Sequence, residues 1–304
     1  IARDYVIYRE EQSRKRAAKA SLSQETQDAA NGINVIQPDG SRVALDLDRL
    51  HTVVSEACFE LEDVVESAIL DEALKNLYDG VTAEELATSL VITARTMIEQ
   101  DPNYSYVAAR LLCDNLRAEA LSFLGVATNA TQADMGQLYS KALPAYIARG
   151  IELELLAPNL AGYDLQRLGE ALLPERDLQF TYLGLQTLYD RYFIHSDETR
   201  FELPQVFFMR VAMGLAAEEA NRNDRAIEFY ELLSSFDYMS STPTLFNAGT
   251  LRPQLSSCYL TTVPDDLHGI YGAIQDNAML SKFAGGLGND WTPVRALGAY
   301  IKGT

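Results

Sequence analysis

Apolar positions along the chain fall into three textures, and each predicts a different kind of structure. At the start, Ile1, Tyr5 and Tyr8 recur at helical spacing ahead of the charged run Arg9–Arg16, which predicts a helix over 1–18. The next stretch, KASLSQETQDAANG (19–32), is polar, poor in large apolar side chains and closed by Asn31-Gly32, so it reads as a linker. From Ile33 the period drops to two. Ile33 and Val35, then Val43, Leu45 and Leu47, alternate on either side of Pro38-Asp39-Gly40-Ser41, predicting two short strands around a turn. Asp48 is placed to cap a helix over 49–61, with Leu50, Val53, Val54, Ala57 and Leu61 as its apolar face. Further helices are expected over about 64–78, 83–99 and 104–123. Thr82 followed by Glu85 is a capping-box signature for the third, and Asp101-Pro102-Asn103 breaks it from the fourth. The segment 33–122 is thus one module, a β-hairpin followed by four helices.

Residues 123–235 form a second region, almost wholly helical, with apolar runs at 178–194 and 205–217 and breaks at Pro158, Pro174 and Pro204. A third region, 236–304, is rich in Thr, Ser, Pro and Gly from Ser240 onward. It predicts a loop, a short strand at Ser257–Thr262 and a helix starting at Asp265 or Asp266. Ala284-Gly285-Gly286-Leu287-Gly288 reads as a turn where the backbone passes close to something.

At 304 residues there is room for two or three domains, and 47% hydrophobic with 22% charged residues is ordinary globular composition. The formal net charge of −18 changes the picture more. Such a field repels nucleic-acid phosphates and anionic lipid, so neither DNA nor a membrane is an expected partner. Any phosphate-bearing ligand needs a local site that works against the global charge. No apolar run reaches the roughly 18 residues of a membrane span. Ile1-Ala2-Arg3-Asp4-Tyr5 lacks the order of a signal peptide and reads as the interior of a longer chain. Cys58, Cys113 and Cys258 are far apart, and His51, His195 and His268 stand at no ligand spacing, so neither a disulfide framework nor a zinc site is expected. A reducing cytoplasm is the expected compartment.

Candidate chemistry concentrates in the last 65 residues. Ser256-Ser257-Cys258 in a strand is either a packed cysteine with two strand serines or a redox thiol. The glycine run 285–288 is either a tight turn or a place where backbone N–H groups approach a ligand; it is not GxGxxG. Asp265-Asp266 after Pro264 is explained by helix capping. Arg295 and Lys302 are either solvated surface charges or local cations for an anion.

Taken together, these residues resemble a known family. SSFDYMSSTPTLFNAGTLRPQLSSCYL from Ser234, Asp265-Asp266-Leu267, and KFAGGLGNDWTPVRALGAYIKGT are similar to the start of the catalytic barrel of ribonucleotide reductase large subunits. Arg176–Tyr182 and Pro204–Arg210 are similar to that family's helical N-terminal region, and the similarity runs through essentially the whole chain. The resemblance implies a mainly α N-terminal region leading into the start of a ten-stranded α/β barrel. It implies that Thr242 holds a substrate diphosphate, that Ser257 and the redox cysteine Cys258 lie beside the substrate ribose, and that the backbone of Gly286 contacts substrate. It assigns Asp265, Asp266, Leu267, Arg295 and Lys302 to a specificity site for a deoxynucleoside triphosphate at a homodimer interface. The implied reaction is thiyl-radical reduction of ribonucleoside diphosphates. The radical cysteine, the partner of Cys258, the catalytic Asn and Glu and the C-terminal reducing thiols are expected beyond Thr304, so the chain alone is expected to be inactive. No cofactor is implied in the chain itself. The implied partners are ATP, dATP and dNTP effectors, a metal-containing small subunit that supplies the radical, and thioredoxin or glutaredoxin as reductant.

The module 33–122 resembles that family's ATP-cone, and Tyr5-Val6-Ile7-Tyr8-Arg9 in 1–18 resembles the last helix of another. This cone departs from the family pattern. Gln37-Pro38 stand where lysine is usual, Ala118 replaces a basic residue, and Ala83 and Ala87 fall where a threonine and a histidine are expected. Without these cations and donors, triphosphate would be poorly compensated, and the cone reads as degenerate. Arg49 and Arg117 keep a binding cone open as the alternative. Two further readings of the chain remain: a cobalamin-dependent reductase of the same superfamily, or a stand-alone nucleotide sensor built on ATP-cones. Tandem cones favour the class I enzyme over the first, and the segment 240–304 argues against the second.

Overall fold

The computed structural model describes residues 32–283 and 285–300. The helix expected over 1–18, nearly all of the linker, and Lys302 lie outside the described residues. Two compact units are present. One comprises the described residues up to Leu153 together with Asp164–Phe207; the other comprises Glu154–Tyr163 and the described residues from Phe208 onward.

In the first unit, alternation of apolar side chains builds the hairpin of β1 (Asn34–Ile36) and β2 (Arg42–Ala44), antiparallel with Val35 opposite Val43. Its turn closes through Gln37 N to Ser41 O at 2.8 Å, with Gly40 at φ +81, a conformation glycine adopts without penalty. The sequence predicts only these two strands. A third, β3 (Val81–Thr82), lies parallel to β1 and completes the sheet in the order β2-β1-β3. Two residues are too few to show a period.

Helix α1 (Leu47–Cys58) starts two residues earlier than expected, because Asp46 rather than Asp48 is its cap, accepting from Arg49 N at 2.9 Å. Asp48 sits in the first turn, where its charge suits the helix dipole. Helices α2 (Glu66–Lys75), α3 (Ala83–Thr96) and α4 (Tyr104–Phe123) follow. The capping box is present in both directions: Thr82 Oγ1 accepts from Glu85 N at 3.1 Å, and Glu85 Oε2 accepts from Thr82 N at 2.9 Å. Helix α4 is the hub, packing on α1, on α3 and on α7 (Tyr182–Arg191). Its Val107, Ala108, Leu111, Leu116 and Ala120 are all buried to 1% exposure or less.

Helices α5 (Met135–Glu152) and α6 (Leu165–Glu170) pack closely, since a side chain at Gly169 would meet Ser140 Cα at 2.9 Å. The region expected to be almost wholly helical also holds a two-residue strand pair, β4 (His195–Ser196) with β5 (Thr199–Arg200). Pro158 and Pro174 open short 3-10 turns, and Pro204 begins helix α8 (Pro204–Leu215) rather than breaking one. Proline is tolerated in a first turn because its missing N–H would be unpaired there anyway. Every residue of the run 201–213 is buried.

The second unit contains α9 (Arg222–Ser234), α10 (Thr242–Asn247) and a strand–helix–strand unit of β6 (Cys258–Thr262), α11 (Leu267–Lys282) and β7 (Gly286–Asp290). Two expectations are corrected here. Residues 242–247 form a short helix instead of loop, and Gly286–Asp290 form a strand instead of a turn. The strand is made by pairing with β6, a long-range effect that local glycine content conceals.

Candidate functional site

Strands β6 and β7 are parallel and in register from Cys258↔Gly286 to Thr262↔Asp290. Gly286 N donates to Ser257 O at 2.9 Å, so the glycine backbone is bound to the residue just ahead of the cysteine. A side chain at Gly286 would come within 3.1 Å of Ser257 O and 3.6 Å of Cys258 Sγ. At Gly285 it would strike the Tyr259 ring at 2.7 Å. The close approach expected of the glycine run is therefore real, and what it approaches is the cysteine strand. Of the three thiols, Cys58 and Cys113 are buried and Cys258 is exposed. Burial pushes the Cys113 thiol up to about 12, which keeps it inert at neutral pH. Only Cys258 is open to a reactant.

Thr242 is exposed in the first turn of α10. That helix is tied to the approach to β6: Thr244 Oγ1 donates to Leu255 O at 3.0 Å and Asn247 Nδ2 donates to Gln254 O at 2.8 Å. Its other end is held by Arg210, which is fully buried and donates to Ala248 O at 2.7 Å and Leu245 O at 3.1 Å. A guanidinium on the last carbonyls of a helix satisfies groups that have no partner within it and opposes their partial negative charge. The turn after α10 is pressed on α8, since a side chain at Gly214 would lie 2.2 Å from Gly249 N. Gly249 itself has φ +76. Sequence reasoning missed Arg210 and Gly214. The available signal was a lone arginine inside the apolar run VFFMRVAMGL.

Asp265, Asp266, Leu267 and Arg295 are brought together at the head of α11. Asp266 is the N-cap, accepting from Gly269 N at 2.8 Å, and Leu267 is exposed. Arg295, beyond β7, reaches back to Asp265, with Nε 2.8 Å from Oδ2. Thus the acidic pair is more than a cap, because one member caps and the other holds the arginine. Lys302 lies outside the described residues.

In the module 33–122 there are six basic residues against seventeen acidic ones. Each base is engaged by the protein. Arg42 pairs with Asp79, Lys75 with Glu72, and Arg95 lies over the Tyr182 ring. Arg110 donates to Leu178 O, Ala57 O and Phe59 O. Arg49 and Arg117, the two candidates for phosphate binding, both pair with Asp114, and Arg117 also donates to Gln132 Oε1 at 2.8 Å. Arg117 is 3% exposed. Beside it is a cavity of about 10 Å³, lined in part by Glu56, Cys113, Arg117, Gln132 and Asp177. That space suits one water and is far too small for a nucleotide. Burial raises the Asp177 carboxyl to about 6, against the opposing effect of hydrogen bonds from Tyr139 (2.7 Å) and Gln205 (2.8 Å). Gln37, Pro38, Ala83, Ala87 and Ala118 supply no cation.

Among the described residues no group of three His, Cys, Asp or Glu is placed to hold a metal ion, and no helix is long and apolar enough to cross a membrane.

Family models match three consecutive parts of the chain: the ATP cone domain over 33–119, the all-alpha domain of ribonucleotide reductase over 178–253, and its barrel domain over 256–304. Among curated proteins, the chain is 44% identical over 306 residues to the ribonucleoside-diphosphate reductase subunit alpha of Chlamydia trachomatis, with all of the chain and 29% of the relative covered. It is 45% identical over 307 residues to the subunit alpha of Chlamydia pneumoniae, with the same coverage. To the large subunit of Danio rerio it is 35% identical over 275 residues, covering 90% of the chain and 33% of the relative. The chain spans about a third or less of the length of these relatives.

Proposed function

We propose that this chain, which belongs to the ribonucleotide reductase large-subunit family, is an N-terminal part of a class I catalytic subunit that reduces ribonucleoside diphosphates to deoxyribonucleoside diphosphates. The observation that carries the reading is the pairing of an exposed cysteine with a glycine strand. Cys258 begins β6 with Gly286 beside it in register, and no side chain intervenes between the thiol and the neighbouring backbone. A ribose approaching that edge meets a proton-donating thiol and peptide groups together.

In this reading a thiyl radical on another cysteine takes the ribose 3′-hydrogen. Cys258 Sγ–H protonates the departing 2′-hydroxyl, which leaves as water. A second thiol joins Cys258 in a disulfide, supplying two electrons, and the 3′-hydrogen is returned to the sugar. Thioredoxin or glutaredoxin then reduces the disulfide. Neither Cys58 nor Cys113 suits the radical or the partner role, since both are buried; those thiols belong to the further sequence that the longer relatives carry. Thr242, at the start of the helix that Arg210 anchors, is the proposed contact for the substrate diphosphate, with Ser257 at the ribose. Asp265, Asp266, Leu267, Arg295 and Lys302 form the proposed specificity site for a deoxynucleoside triphosphate. An arginine fork suits phosphate oxygens, and an acidic protein needs such a local cation.

The cone over 33–119 is proposed to be a degenerate spacer. Its six cations are engaged by acids, carbonyls or a ring, and Arg49 and Arg117 serve internal packing. The partners that go with this function are a second large subunit and a metal-containing, radical-generating small subunit, in the cytoplasm.

Replacing Cys258 by Ser in the full-length protein tests the reading. Nucleotide binding should persist while turnover with thioredoxin or glutaredoxin falls to background. Ordinary turnover of the Ser variant would remove Cys258 from the mechanism.

A further inference from the structure

The contact between Arg295 and Asp265 has the form of an anion clamp closed on the protein's own carboxylate. Oδ1 of Asp265 accepts from both the backbone N–H and the Nε of Arg295, each at 3.1 Å, and Oδ2 accepts from Nε at 2.8 Å. The guanidinium also reaches Asp265 O at 3.4 Å and Tyr300 O at 3.2 Å. Main-chain and side-chain donors of one residue thus converge on a pair of oxygens with the spacing and charge of a phosphate edge. The two side chains keep 42% and 33% of their exposure, so an anion from solvent reaches them without any element unfolding. Exposed pairs of this kind are weak, which makes the carboxylate displaceable.

We propose that Asp265 is a built-in competitor for the effector phosphates. With the site empty, it occupies Arg295 and pins the loop after β7 to the head of α11. A polyphosphate takes over the guanidinium and the backbone N–H, Asp265 is freed to face the rest of the effector within the same site, and the loop is released from α11. The inference rests on the reading of this region as an effector site and adds a device to it: the empty state is held by an internal anion, so effector affinity is set below what the arginine alone would give.

The test uses the full-length protein, with inorganic triphosphate and dTTP as separate probes in equilibrium binding. Asp265→Asn should tighten inorganic triphosphate about fivefold, the worth of one exposed ion pair. The same change in an Arg295→Ala background should have no effect. Asp265→Ser serves as a second variant should Asn perturb folding, judged by thermal melting. Unchanged or weaker triphosphate binding in both Asp265 variants, with Arg295→Ala still weakening dTTP, would overturn the competitor and leave the effector site standing. Undiminished dTTP binding in Arg295→Ala would overturn the effector site, and the competitor with it.

Discussion

Cys258 and Gly286 are register partners across a parallel strand pair, and a β-carbon added at Gly286 would sit 3.6 Å from Cys258 Sγ. That distance is an ordinary contact, whereas the 3.1 Å to Ser257 O is tight. On the proposed function, Gly286→Ala in the full-length protein is therefore expected to fold but to lose about tenfold in kcat/KM, and Gly286→Val to lose more than about a hundredfold. Steady-state kinetics beside a circular-dichroism melt checks this. Full activity in the Val variant would mean that the glycine has no part in the site.

Arg210 is expected to position α10. Replacing it by Met keeps the apolar stem but leaves the carbonyls of Leu245 and Ala248 without their buried donor. The expected cost is about 2–4 kcal/mol, read from urea denaturation. Because Thr242 rides on that helix, the substrate KM should rise in the surviving folded fraction. A change in stability with KM untouched would separate the anchor from the substrate site.

Asp177 makes stability depend on pH in a defined direction. Burial raises its carboxyl to about 6 in the folded chain, against an unfolded value of about 3.9. Between those values the folded state binds more protons than the unfolded one, so this residue's contribution to stability falls as pH rises through the window. Above about pH 6 the loss is complete. Asp177→Asn, which keeps partners for Tyr139 and Gln205, should gain on the parent by on the order of 2 kcal/mol between pH 4.5 and 7.5. Equal pH profiles for the two proteins would show the carboxyl to be unperturbed.

If the cone is a spacer, its solvent-accessible arginines are irrelevant to effectors. Replacing both Arg42 and Arg49 by Ala should leave the number and affinity of dATP sites on the full-length protein unchanged by calorimetry. Loss of one binding event would restore the cone as a working site.

Legibility in the sequence followed the range of the interaction responsible. The hairpin around Gly40 and the face Leu50, Val53, Val54 and Ala57 were readable because both follow a local period, two in the strands and 3.6 in the helix. The Thr82–Glu85 box was readable because its two hydrogen bonds join residues only three apart. Strand β3 is two residues long, and β7 runs through glycines, so their structure comes from a neighbour distant in sequence. Helix α10 begins Thr242-Pro243, which reads as loop; its last carbonyls are met by an arginine 35 and 38 positions away. At the candidate site, Cys258, Gly286 and the Asp265-Asp266 pair stood out in the sequence, whereas the direct contact of Asp265 with Arg295 did not. Nothing in a run of residues says which charge at position 295 will fold back thirty places.

The order of synthesis gives the β6–α11–β7 unit a history. The cysteine strand leaves the ribosome first, and its partner follows only after α11, with Asp290 pairing to Thr262 28 residues upstream. At about 5–20 residues per second, the sulfur of Cys258 waits a few seconds for the backbone beside it. Through that interval β6 is an unpaired edge, and what the arrival of β7 closes is the backbone, since Cys258 itself stays exposed after the strands have paired.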